Sequence, residues 1–492
     1  MTQTVLKAEA PAAGEDANHT ARSSRLGLGM LTAYGTGALV QDTANFGLNT
    51  LLLFYLTIIC GMPGVMAGAA LGIALVLDSF IDPLVGSLSD NSRSRHGRRH
   101  PFMIVSAIPM VAAFVMLFSI PPSLSGVGLF AYALVALLVV RIGMSGFTVP
   151  YIALGAELSD DYAERSTIVA ARVLFTVVAG GVAAFLAYGV FLKGVGGQMH
   201  RAAYGPFAIT CGGLVLLGAA VSTLGTLRAR DRLHAAPEGK ATAARFFAEV
   251  AEVFRNPSFR ILFFACLILF VALGVASALT LHANTYFWKL PSSAILIITL
   301  TGTLGVLIGV FIASFLGRTL EKRTIALSGI GLIGACQLLP VPLRLAGVIQ
   351  PDSAIVALMA AAGLAGVGAS FALIGFQSMM ADAADEHEHL FGARREGLYF
   401  AGISLSAKAS SGVGALIAGL VLDLIGFPHG LDLHGGAAVP IPPEAVRNLG
   451  LVYGPGAALI TAISVLMLLR YRRGREDHAR IHGALMERRQ RA

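Results

Sequence analysis

The chain is poor in charge. Of its 492 residues only 13% are Asp, Glu, Lys or Arg, against about 25% in an ordinary soluble domain. Cysteine is scarce too: Cys60, Cys211, Cys266 and Cys336 lie in or beside apolar stretches, with no Cys-x-x-Cys spacing. That spacing argues against a thiolate metal centre and leaves four small buried hydrophobes. No GxxxxGK[ST] loop occurs, so the chain has no phosphate cradle of its own and ATP-driven transport is not expected. No nucleophile–base set or metal-ligand cluster stands out, and an enzyme is not expected. The net charge of +8 is spread between apolar segments, without a basic patch interleaved with aromatics. Nucleic acid is therefore not an expected partner.

What the chain does have is apolar surface. It is 55% hydrophobic, has a mean hydropathy of +0.74 and holds 57 glycines. Small residues of that abundance suit close helix–helix approach in a membrane. Apolar runs at 102–120, 131–140, 261–281 and 458–469 belong to segments of the length that crosses a bilayer, about 20 residues. Twelve spans are predicted, near 30–58, 65–88, 102–120, 127–157, 167–193, 205–228, 258–285, 292–316, 324–344, 353–382, 396–426 and 449–470.

The fold class is thus an all-α membrane protein with twelve transmembrane helices in two six-helix halves. Residues 1–29 lack the charged start and apolar core of a signal peptide and read as a disordered cytoplasmic tail. The first half covers 30–228, a hydrophilic cytoplasmic linker 229–257, the second half 258–470, and a basic cytoplasmic tail 471–492. Lys and Arg crowd alternate connections (Arg93, Arg95, Arg98 and Arg99; Arg318, Lys322 and Arg323; Arg394 and Arg395), while GMPG and PPSLSG carry none. By the positive-inside rule both termini are cytoplasmic. The halves echo each other: GVFIASFLGRTLEKR repeats the pattern of the second span's end, and MMADAADEHEHLFGARREG that of ALGAELSDDYAERS. Paired halves suggest a transporter with its site between them, near the bilayer midplane.

Charges inside such spans mark function. Each carboxylate at a helix centre costs about 2.5–3.5 kcal/mol on insertion scales. Asp78 and Asp82, in LDSFIDPLVGSLSD, are four residues apart and share one helix face. Two carboxylates on one face repel, so a proton or a cation must sit with them; ion coupling and a structural or gating role are the two readings. Pro83 removes a helical N–H, and the carbonyl it leaves is a further potential ligand. Lys408, in ISLSAKASSG, is the natural counter-charge when no cation is bound. Asp42 lies inside the first span. Arg172, in the fifth, can fork onto Asp42, onto a substrate or into a structural ion pair. Thr148, Tyr151 and Gln377 are polar points on apolar spans, suited to a substrate or to packing. Asp90 is expected to pair with Arg98 or Arg99 as a gate element. Glu157, Arg165, Asp382 and Asp385 complete the candidate gates, with 382–389 read as a solvated loop rather than a metal site. Trp288, near the outer end of the seventh span, is expected at the membrane interface.

These residues carry a family resemblance over nearly the whole chain. YGTGALVQD, DSFIDPLVGSLSD followed by GRRHPF, VPYIALGAELSDDYAERS, and ADAADEHEHLFGARREGLYFAG followed by Lys408 resemble the signatures of the glycoside–pentoside–hexuronide:cation symporters, a branch of the major facilitator superfamily. The resemblance implies that Asp78 and Asp82 bind the coupling cation, Na+ or H+, with Lys408 beside them. It implies that Asp42 and Arg172 contact sugar hydroxyls. Where the family's reference member, melibiose permease, has an Asp two residues before the fourth-span Pro and a Trp two after it, this chain has Thr148 and Ile152. The pocket is then expected to take a different glycoside, a uronide or a less polar molecule.

The expected function is secondary active, cation-coupled symport of a sugar-type solute by alternating access in the plasma (inner) membrane. It would need no cofactor beyond Na+ or H+ and no partner beyond a small-molecule substrate and membrane lipid, and would work as a monomer. The alternatives are a lipid-like or other amphipathic solute, or uncoupled uniport. A non-transporting sensor would need a soluble output domain, which the sequence does not supply.

Overall fold

The computed structural model describes residues 26–92, 94, 97–159, 161–194, 196–227, 251–392, 396–430 and 441–491. Most of the predicted N-terminal tail and of the linker, and Arg93, Arg95, Arg394 and Arg395, lie outside the described residues.

Among the described residues, twelve helical spans follow one another. The first, α1, begins at Leu28–Gly35, breaks at Thr36 and Gly37, resumes at Ala38–Phe46 and ends through the wider π-type turns of Tyr55–Ile59. Next come α2 (Gly64–Asp90), α3 (His100–Leu117), α4 (Gly126–Glu157), α5 (Tyr162–Ala184, extended by Phe185–Phe191) and α6 (Tyr204–Leu227). The second half holds α7 (Pro257–His282, extended by Ala283–Phe287), α8 (Ser292–Leu316), α9 (Lys322–Leu338, continued by Pro340–Leu345), α10 (Pro351–Phe391), α11 (Glu396–Leu424) and α12, from Pro443–Leu451 to Ala457–Leu468. A last helix, α13 (Arg475–Arg491), follows the spans.

Among the described residues, eleven of these spans are single helices long and apolar enough to cross a membrane. The first is the exception because it is broken at Thr36–Gly37 and carries Gln41, Asp42, Asn45 and Asn49. Large apolar side chains such as Phe311, Leu459 and Leu466 stand exposed, as a lipid-facing surface requires and a water-facing one forbids.

Two sequence expectations are corrected. Residues 382–389 are not a loop: α10 runs on to Phe391 and ends at Gly392, whose φ of 78° suits the left-handed cap. Ala, Asp, Glu and His tolerate a helix there because the extension packs inward. Ala383, Ala384, Glu386 and His387 are buried, and Asn256 at the start of α7 donates to the Ala383 carbonyl. Trp288 is not interfacial. It is 3% exposed, edge-on to Phe287, with the Arg344 guanidinium 5.9 Å from its ring centre.

The halves meet most closely where α2 passes α11. Gly64 and Gly68 of α2 face Gly419 and Ala415 of α11, and a Cβ on Gly64 or Gly419 would run into the other's carbonyl oxygen. Only backbones without side chains approach that closely. The same end carries the cross-half hydrogen bonds Thr57–His282 (3.0 Å), Gln198–Thr285 (3.2 Å) and Ser292–Gln198 (3.0 Å). Asp423 of α11 accepts from the Gly64 and Val65 N–H groups, both at 2.7 Å. These are first-turn donors of α2 that its own helix cannot satisfy. This end lies opposite the termini, and the seam is closed there.

Candidate functional site

Halfway along the α2–α11 seam the glycine contacts give way to charge. Lys408 of α11 reaches across to α2 and donates to both carboxylates, to Asp78 at 3.0 Å and to Asp82 in a shorter contact. The i, i+4 spacing on α2 makes this bridge possible, since it stacks the two acids on one face. The helix continues through Pro83, which lacks the N–H that would have bonded to the Ser79 carbonyl. From α4, the Ser145 hydroxyl donates to the other oxygen of Asp78 at 2.7 Å.

One turn further along α4, away from the termini, lies Arg141. It is 5% exposed and within electrostatic reach of Asp78 and Asp82. Side-chain exposure rises from 5% at Asp78 to 27% at Asp82 and 32% at Lys408, so along α2 the acids become more open toward the terminal end.

A second polar cluster joins α1, α4 and α5. Thr176 donates to Asp42 at 2.7 Å. Arg172, one turn before Thr176 on α5, lies within electrostatic reach of Asp42 and of the Tyr34 and Tyr151 hydroxyls. Tyr151 stacks on Tyr34 with ring centres 4.7 Å apart. The Thr148 hydroxyl is buried without a hydrogen-bond partner among the described residues. Gln377 is not brought into either cluster and stands exposed on α10. Between the halves, next to Lys408, lies a cavity of about 190 Å³ walled mainly by apolar side chains, among them Leu71, Leu75, Phe270 and Leu273, with Asn49, Ser277 and Ser411 as polar points.

At the terminal end the charges pair within their own half. Arg98 and Arg99 both clasp Glu157, and Arg99 also reaches Asp90 at 3.3 Å. Arg165 donates to the Ser159 carbonyl at 2.8 Å. In the second half Lys322 pairs with Asp382 at 2.7 Å and Arg473 with Glu386 at 2.6 Å, while Asp385 is partly exposed one turn on from Asp382. These pairs sit at the ends of α4 and α10, the equivalent spans of the two halves.

A family model matches most of the chain. The profile of "MFS/sugar transport protein" covers residues 33–474. The chain belongs to that family. It is the glycoside–pentoside–hexuronide type of transporter, and the resemblance read from the signatures stands. Among relatives, the inner membrane symporter YicJ of Escherichia coli (strain K12) is 24% identical over 83% of this chain and 85% of its own. The isoprimeverose transporter of Lactiplantibacillus pentosus is 23% identical over 77% and 76%. Among solved structures, the nucleoside transporter NupG superposes with a TM-score of 0.60 at 14% identity, over 91% of this chain and 100% of that one, which supports the fold alone. The chain is a multi-pass membrane transporter of this family.

Reading the sequence missed four polar residues of these clusters: Arg141, Ser145, Thr176 and Asp423. Arg141 was detectable by the test that singled out Lys408, a lone cation within an apolar span. Ser145 and Thr176 stand four residues after Arg141 and Arg172, a spacing that places them on the same faces. Nothing in the sequence marks Asp423, since its donors on α2 are more than 350 residues away.

Proposed function

We propose that this transporter is a secondary active symporter that moves a sugar-type solute (a glycoside, pentoside or hexuronide) by alternating access, with Na+ or H+ as the coupling ion. The carrying observation is the Lys408 bridge to Asp78 and Asp82. Lys408 belongs to one half and the acids to the other. A cation arriving at the acids competes with the ammonium, so ion occupancy and the contact between halves are linked. Two unneutralised carboxylates this close are unfavourable, which ties opening of the seam to a replacement charge. Solute would bind between the halves near Asp42, Thr148, Tyr151 and Arg172, and the Arg98–Arg99–Glu157 and Lys322–Asp382 groups would remake their pairs as the terminal end closes. We place the protein as a monomer in the plasma (inner) membrane with both termini cytoplasmic, as the Lys and Arg distribution supports.

A second reading, an amphipathic or lipid-like solute, draws on the apolar walls of the inter-half cavity and on Thr148 and Ile152. The deciding experiment uses purified protein in liposomes. A counterflow panel of glycosides, pentosides, uronides and a lysolipid identifies the solute class. Uphill accumulation is then compared between wild type and Asp82→Asn. Exchange retained with accumulation lost in the variant supports the coupling role; full accumulation in Asp82→Asn refutes it.

A further inference from the structure

Arg141 has no role in the mechanism above, yet it is among the most deeply buried charges of the described residues. Its Nε and Nη2 atoms are buried without a hydrogen-bond partner among the described residues, an arrangement that leaves strong donors unsatisfied. Its position explains what holds it there. Ser145, four residues on and about 6 Å along the same helix, bonds to Asp78, and the fields of both Asp78 and Asp82 act on Arg141. The cluster therefore contains two carboxylates, the Lys408 ammonium and a guanidinium. Its formal sum is zero before any ion arrives. An arginine cannot shed its proton to make room for another cation.

We propose that Arg141 is a tethered cation that keeps Na+ out of the Asp78–Asp82 site. This rests on the reading of those acids as the coupling site and narrows it. With Lys408 alone as counter-charge, two acids would keep one unit of negative charge to attract a metal ion. With Arg141 present, Na+ must either displace Lys408 while facing the guanidinium or enter a site already neutral. A like unit charge about one helix turn away lowers cation affinity on the order of a hundredfold at an effective dielectric of about 20. On this account transport by the wild-type protein is independent of Na+, and Arg141 is the residue that decides it.

The test needs only Na+ as ligand. Thermal melting of the purified full-length protein is followed across a NaCl titration, with choline chloride at matched ionic strength, for wild type, Arg141→Gln, Arg141→Lys and Arg141→Gln/Asp82→Asn. An ion that binds only the folded state raises the melting temperature. The proposal expects no Na+-specific rise in wild type or Arg141→Lys, a saturable rise in Arg141→Gln, and its loss in the double variant. A saturable Na+-specific rise in wild type overturns the proposal, and that result is readable even where Arg141→Gln does not fold. A folded Arg141→Gln that ignores Na+ overturns it as well. Solute counterflow by wild type is scored separately: its absence counts against the transporter reading, whatever the Na+ titration shows.

Discussion

Replacing Lys408 by methionine strips the ammonium from two carboxylates at once while keeping most of the side-chain volume. Removing one partner from a fully buried ion pair costs about 3–5 kcal/mol, because the other charge is left uncompensated. The site here is partly wet, with Lys408 32% and Asp82 27% exposed, and Asp78 keeps its Ser145 hydrogen bond and the field of Arg141. Both features offset part of the loss, and the expected cost is about 2–3 kcal/mol. The assay is thermal melting in detergent at one fixed scan rate, since unfolding of such proteins is commonly irreversible. The decisive comparison is the double-mutant cycle. Asp82→Asn in the Lys408→Met background removes the charge that the first substitution strands, so the double variant should be about 1–2 kcal/mol more stable than the sum of the single losses predicts. A Lys408→Met protein that melts with wild type, or two losses that simply add, would refute the bridge as an energetic link between the halves.

Other consequences follow from the same geometry. Glu157→Gln removes the carboxylate charge that Arg98 and Arg99 share, leaving Arg99 with Asp90; charge-assisted bonds of this kind are worth about 1.5–3 kcal/mol each, so the turnover rate in counterflow should change several-fold while solute affinity stays within about twofold. Asp423→Asn weakens both bonds to the start of α2 and should raise the population open at the end opposite the termini about tenfold, read from distances between spin labels placed across that seam; an unchanged distribution counts against the latch. Arg172→Lys keeps the charge but loses the planar fork near Asp42 and Tyr34, and the half-saturating solute concentration should rise about tenfold, whereas Gln377→Ala, outside both clusters, should leave it within about twofold.

The residues show where sequence reading succeeds and where it stops. The eleven long apolar helices were legible because a bilayer demands about 20 apolar residues per crossing and allows few charges. The first span was predicted too, near 30–58, and its YGTGALVQD stretch carried the family resemblance, but its break at Thr36 and Gly37 was not foreseen. Asp78, Asp82 and Lys408 were legible for the opposite reason: a charge inside an apolar span is costly and so conspicuous. The end of α10 was misread as loop because its acids and histidines are hydrophilic, and composition does not reveal that one side of that helix is buried against α7. Trp288 was misplaced for a similar reason, since Arg344 covers it only after α9 has folded back.

The chain's order of residues was enough to establish a twelve-span transporter, its family, and the presence of costly charge on α2 and α11, because each of these follows from the local cost of putting polar groups in lipid. Which charges meet was settled by packing. That Lys408 lands between Asp78 and Asp82, that Ser145 completes Asp78, that Asp423 caps a helix of the other half, and that Arg141 is left beside the acids without a hydrogen bond at Nε or Nη2 all depend on how closely α2, α4 and α11 approach. The α2–α11 distance is governed by small residues facing each other across a seam; the four-residue spacing of Gly64, Gly68 and Gly72 marks one face of α2 for close approach, but which helix meets that face is a relation between residues hundreds of positions apart that no local pattern encodes.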